Sequence, residues 1–101
     1  MEAVYEVKKL GKGVKIKAKG RLSISNAEEF RSLLLESIPE NGNCTLFLKE
    51  LESLDITGVQ VVASLNLMLA ERGNSLNVFW PDSPALKDLL DKLQLKKIVN
   101  L

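Results

Sequence analysis

The sequence predicts a single α/β domain built on a mixed, mostly parallel sheet. Two observations carry this. Short β-branched segments alternate with longer stretches whose apolar residues recur every three or four positions, in the order β-β-α-β-α-β-α-(β). Each helix must carry the chain back across the sheet, which makes the strands it joins parallel. The 101 residues suffice for one core and leave little for a second lobe, so residues 1–101 are read as one domain without linker or repeat.

The first two strands are Val4 to Val7 and Val14 to Lys19, with Gly11 and Gly13 between them. In the second, Val14, Ile16 and Ala18 share one face while Lys15, Lys17 and Lys19 share the other. Ser25 or Asn26 caps the first helix, since Ser25 with Glu28 and Asn26 with Glu29 have capping-box spacing. Its apolar stripe is Ala27, Phe30, Leu33, Leu34 and Ile38, and Pro39 with Asn41-Gly42 ends it. Thr45 to Leu48 reads as a buried strand. A second helix starts near Gly58 and runs to Arg72 with Val59, Val62, Leu65 and Leu69 inward, and Gly73 gives it a left-handed stop. Leu76 to Trp80 is the next strand. Ser83 caps a third helix with Pro84 at its first position and Leu86, Leu89, Leu90 and Leu93 inward. Lys97 to Val99 forms a last short strand.

Composition removes whole reaction classes. There is no histidine and one cysteine, Cys44. Ser-His-Asp and Cys-His catalysis, His-ligated zinc and cysteine clusters are therefore out of reach, and no internal disulfide can form. No cofactor or metal is expected. Met1 to Lys9 mixes charged and apolar residues without an apolar signal core, and the longest uncharged stretch, Ile56 to Ala70, has 15 residues. A membrane span needs about 20. The expectation is a cytoplasmic protein without direct membrane insertion. The net charge of +1 gives no general attraction to nucleic acid, and no nucleic-acid partner is expected.

Basic residues nevertheless cluster between Lys8 and Arg21, with no acid among them. No aromatic residue alternates with these lysines as a base-stacking platform would require, so the stretch reads as a solvated face that guards a sheet edge. Lys8, Lys9 and Lys12 are expected on a turn, away from that face. Cys44 reads as a buried structural thiol and Trp80 as a partly buried rim residue. The sharpest local feature is Leu54-Asp55-Ile56-Thr57-Gly58-Val59-Gln60, a polar turn feeding an apolar-periodic helix. Thr57 and Gln60 have capping-box spacing, while a phosphate on a hydroxyl here would meet the free amides of a helix N-terminus. Both readings of Thr57 are open at this point.

These motifs, taken in order, resemble the STAS family of bacterial anti-sigma factor antagonists, which also includes cytoplasmic domains of sulfate transporters. The resemblance rests on Gly20-Arg21-Leu22, Asn26-Ala27, Leu54 to Val59, Leu69-Ala70-Glu71-Arg72-Gly73-Asn74-Ser75-Leu76, and Ser83-Pro84-Ala85-Leu86 with its Leu-rich helix. It implies a central mixed sheet with helices mainly on one face. It also implies a non-enzymatic regulator, a monomer when free, that binds an anti-sigma factor kinase in partner switching that controls transcription. The implied partner-binding residues are Asp55, Ile56, Thr57, Gly58, Val59, Ser23 and Asn26.

In that family a hydroxyl in the Asp-Ser-Ser/Thr-Gly turn is phosphorylated. Aligned on Asp55 and Gly58, the usual acceptor position is Ile56, and Thr57 is left as the phospho-acceptor candidate. Ser23 stands where the family often has an acid. The resemblance extends to a second branch, the small STAS subunit that binds the ATPase of a phospholipid-transport ABC system.

Overall fold

The computed structural model describes residues 3–92, from Ala3 to Lys92. Seven elements follow one another: β1 (Val4–Leu10), β2 (Gly13–Leu22), α1 (Ala27–Ser37), β3 (Cys44–Leu54), α2 (Ile56–Glu71), β4 (Leu76–Phe79) and α3 (Pro84–Lys92). The expected strand at Lys97 to Val99 and the contact of Leu93 lie outside the described residues. The sheet has the order β1-β2-β3-β4. β1 pairs antiparallel with β2, and β2-β3 and β3-β4 pair in parallel, so the mixed, mostly parallel sheet is as predicted.

Alternation on β2 decides which face is buried. Val14, Ile16, Ala18 and Leu22 are buried and Lys15, Lys17 and Lys19 are turned the other way. The apolar stripes of α1 (Phe30, Leu34), α2 (Val59, Val62, Leu65, Leu69) and α3 (Leu86, Leu90) join the same core cluster as the inward residues of β2, β3 and β4. Burial of these side chains outweighs the modest helix preference of the β-branched residues on α2. Trp80, expected at the rim, is 6% exposed and belongs to this core.

Three local expectations change. Lys8 and Lys9 are not on a turn: β1 continues to Leu10, and Lys8 stands opposite Lys15. Asn26 occupies the N-cap position of α1 but makes no side-chain cap bond; its amide is committed to the preceding loop. α2 starts at Ile56, and its cap is Asp55, whose side chain accepts from the amides of Thr57 and Gly58. The C-terminal end of α2 and the start of α3 obey their sequence signals. Gly73 has φ of 75° and, with Asn74, closes α2 in a Schellman pattern, Gly73 N to Ala70 O at 3.0 Å and Asn74 N to Leu69 O at 2.8 Å. Ser83 Oγ accepts from the Leu86 amide at 3.2 Å.

Candidate functional site

The parallel strands β2 and β3 end side by side, with Leu22 opposite Leu54. Their carboxyl ends, with the loop after β2 and the first turn of α2, form one small surface. Crevices at the carboxyl ends of parallel strands are where α/β folds commonly place their sites.

One carboxylate organises it. Asp55 Oδ1 accepts from the amides of Thr57 (3.0 Å) and Gly58 (3.3 Å), while Oδ2 accepts from the amide of Ile24 at 3.2 Å. The Asp55 amide donates to Leu22 O at 3.2 Å. Asn26 locks the loop from beneath: its Oδ1 accepts from the Ser23 amide and its Nδ2 donates to Arg21 O, both at 2.8 Å. At 7% exposure Asn26 is buried with its amide used at both ends, as a buried polar side chain requires. Ser23 is half-buried and its hydroxyl shares a hydrogen bond of 2.9 Å with that of Ser25.

The structure therefore brings the seven sequence-derived residues together but gives them different exposures. Val59 is fully buried in the core, and Gly58 is buried beside it in the first turn of α2. A Cβ at Gly58 would stand 2.5 Å from Leu54 Cδ1 and 3.1 Å from Leu22 Cδ2, so the absent side chain lets α2 sit against the strand ends. Asn26 and Asp55 shape the backbone. Ile56, 43% exposed, and the half-buried Thr57 reach the surface. The Thr57 hydroxyl makes no hydrogen bond among the described residues, and capping belongs to Asp55.

Two surface residues escape sequence reading. Ile24 is 77% exposed at the loop tip, and Leu67 is 57% exposed on α2. Each is an aliphatic residue outside any apolar stripe, which is the signal that marks it. Along α2 the exposed positions are Ile56, Gln60, Ser64, Leu67 and Ala70, and none carries charge before Glu71. Beside them a shallow groove of about 190 Å³ runs between α1 and α2, lined by Arg31 and Leu35 of α1 and by Val61, Ser64 and Met68 of α2 among others. Interfaces are depleted of charge at their centres, and the α2 face has that character.

Cys44, at the start of β3, is 1% exposed and burial pushes its thiol up to about 12, so it remains a protonated packing group. Among the described residues no group of three or more potential metal-ligating side chains forms, and no helix is long and apolar enough to cross a membrane.

A family model described as "Mlab, STAS domain" matches residues 6–100. No curated protein matches the chain. Among solved structures, an anti-sigma factor antagonist from Mycobacterium paratuberculosis is similar with TM-score 0.78 and 16% identity, over 99% of this chain and 85% of that one. The Bacillus cell fate determinant SpoIIAA in its phosphorylated form is similar with TM-score 0.66 and 15% identity, over 95% of this chain and 88% of that one. The STAS domain of an antisigma-factor antagonist from Rhodobacter sphaeroides gives 0.56 and 18%, over 76% and 83%.

Proposed function

The chain belongs to the STAS-domain family, and on that premise we propose that it is a non-enzymatic regulator of the bacterial cytoplasm, anti-sigma factor antagonist-like, that docks a protein partner on α2. The observation that carries this reading is the uncharged solvent face of α2, entered at the exposed Ile56 and flanked by Ile24 and Leu67. Exposed aliphatic side chains on a rigid helix, held in place by a capped N-terminus, make a preorganised contact surface. Asp55, Asn26, Gly58 and Val59 act in this proposal as its supports, and Ile56, Thr57 and Ser23 as contacts. The partner is an anti-sigma factor with a kinase fold.

Thr57 is proposed as a contact residue rather than a routine phosphorylation site. The position that the family phosphorylates is filled by Ile56, and Asp55 rather than Thr57 caps α2, which leaves the Thr57 hydroxyl available for contact. Mass spectrometry of the protein from its native cell, with binding by Thr57→Ala and Thr57→Asp, tests this. Little phosphate is expected, with binding weakened by Thr57→Ala and by Thr57→Asp alike, as for any altered contact; substantial phosphate, with binding kept by the Ala variant and lost by the Asp variant, would restore a switch shifted by one residue.

A second reading, the accessory subunit of an ABC-type ATPase in phospholipid transport, rests on the resemblance to that branch and on the matching family model, described as "Mlab, STAS domain". Ile56 does not separate the two readings, because that branch also commonly carries a Thr at this position. Capture with purified products of the neighbouring genes separates the two: a kinase-like anti-sigma factor supports the first reading and a transport ATPase the second. Binding to neither overturns both.

A further inference from the structure

The sheet face turned away from the core carries a second arrangement, laid out in rows by strand register. Lys8 of β1 stands opposite Lys15 of β2, Lys15 opposite Thr45 of β3, and Thr45 opposite Asn77 of β4. The next row is Glu6, Lys17, Phe47 and Phe79. Strands lie about 4.8 Å apart, so each row is a continuous strip of side chains. The rings of Phe47 and Phe79 are 5.8 Å apart between centroids and tilted by 41°. Lys15 Nζ and Lys17 Nζ lie 5.3 and 5.6 Å from the Phe47 centroid. Phe79 is 40% exposed, and neither ring belongs to the core cluster.

Two features of this face are unfavourable as long as it meets only water. Lys8 directly opposes Lys15, and like charges across a strand pair repel. The nearby acid Glu50 is already bound to Lys17 at 2.6 Å, a contact that raises the lysine's pKa and lowers that of the carboxyl. An aromatic pair also stands half open to solvent. The net charge of +1 conceals this local excess: β1 and β2 hold one acid, Glu6, against a run of lysines, while α1 carries Glu28, Glu29 and Glu36 against Arg31.

We infer that this open face binds single-stranded nucleic acid, with bases stacked on the exposed Phe79 and phosphates held by Lys8 and Lys15, while Phe47, overlain by Lys15 Nζ and Lys17 Nζ, backs the platform. Flat sheets with neighbouring aromatic rings and flanking cations are the physical basis of single-strand binding, because every base offers a ring face and every linkage a charge. An acidic polypeptide fits less well, since lysine is depleted from protein-protein contacts. The absence of aromatics among the lysines along the chain conceals the platform: the rings arrive from β3 and β4. This face is separate from the α2 surface, and the two can fail independently.

The test is fluorescence anisotropy of labelled oligo-dT and oligo-U of about 15 nucleotides with the whole chain, in about 50 mM salt and then across a salt series. Saturable binding is expected. Lys8→Gln with Lys15→Gln should weaken it about tenfold and flatten the dependence of log K on log salt by about 1.4. Phe79→Ala should weaken binding at least about fivefold and leave that slope unchanged. Lys87→Gln with Lys92→Gln on α3 serves as the control of equal charge change, and circular dichroism checks that each variant folds. No binding of either oligonucleotide, or wild-type affinity in both face variants, overturns the inference. So does a polyglutamate peptide that binds as tightly as the oligonucleotides and is indifferent to Phe79→Ala, which would make the face a site for acidic polypeptide.

Discussion

Asp55 accepts a hydrogen bond from the amide of Ile24, 31 positions earlier in the chain. With its other oxygen on the first turn of α2, this carboxylate fixes the β2–α1 loop against the helix entrance. The exposed Ile24 and Ile56 thereby share one end of the sheet, each carried by backbone that the same side chain holds.

The first prediction follows from that bond. Asp55→Ala should lower stability by about 0.5 to 2 kcal/mol, the usual cost of a lost N-cap. Thr57→Ala should stay within about 0.5 kcal/mol of wild type, because its hydroxyl holds nothing. Urea denaturation of the two variants checks the order. A larger loss for Thr57→Ala would return the cap to Thr57.

Gly58→Ala opposes two effects. Alanine gains about 1 kcal/mol of helix propensity over glycine, while its Cβ would crowd Leu54 and Leu22, and overpacking typically costs about 1 to 3 kcal/mol. The crowding should win, with a net loss of up to about 2 kcal/mol. Net stabilisation would show that the leucine side chains yield freely. Gly58→Asp and Val59→Asp should therefore unfold the domain before they report on docking.

The element order and the inward faces were legible because period-2 and period-3.6 patterns are direct consequences of burial. Val14, Ile16 and Ala18 on β2 and Val59, Val62, Leu65 and Leu69 on α2 stand where their spacing puts them. Strand ends were not legible. The β2–β3 register shifts between Lys17 and Lys19 and again between Gly20 and Arg21, and such bulges break the alternation at Lys49-Glu50, hiding the extension of β3 to Leu54. Sequence leaves the cap of α2 open because Asp55 and Thr57 are both good caps, and only the backbone decides where the helix begins. The site's turn was legible as a motif. Its exposed partner Ile24 was not, since the bond that brings it there crosses from another loop.

Cys44 gives a pH-dependent prediction. Its thiol titrates near 12 in the folded chain, above the ordinary value of 9.0, because burial disfavours the thiolate. Above about pH 9 the unfolded chain releases this proton and the folded chain keeps it, so stability falls as pH rises from there toward 12. Cys44→Ala should lack this component of the decline, although its cavity lowers stability at neutral pH. Denaturation at pH 8 and about pH 10.5 compares the slopes. Equal slopes would contradict the buried thiol, as would fast labelling of the native protein by a thiol reagent at neutral pH.

The central claim is that the uncharged face of α2 is where a protein partner docks. Its most direct test is titration calorimetry of the purified cognate partner, the anti-sigma factor or the transport ATPase, against wild type, Ile56→Asp, Leu67→Asp and Lys15→Glu. Ile56 and Leu67 are exposed, so their variants should melt within a few degrees of wild type yet bind at least about tenfold more weakly, a loss near 1.4 kcal/mol, while Lys15→Glu binds as wild type does. Undiminished affinity in folded Ile56→Asp and Leu67→Asp, or a loss confined to Lys15→Glu, would contradict the claim.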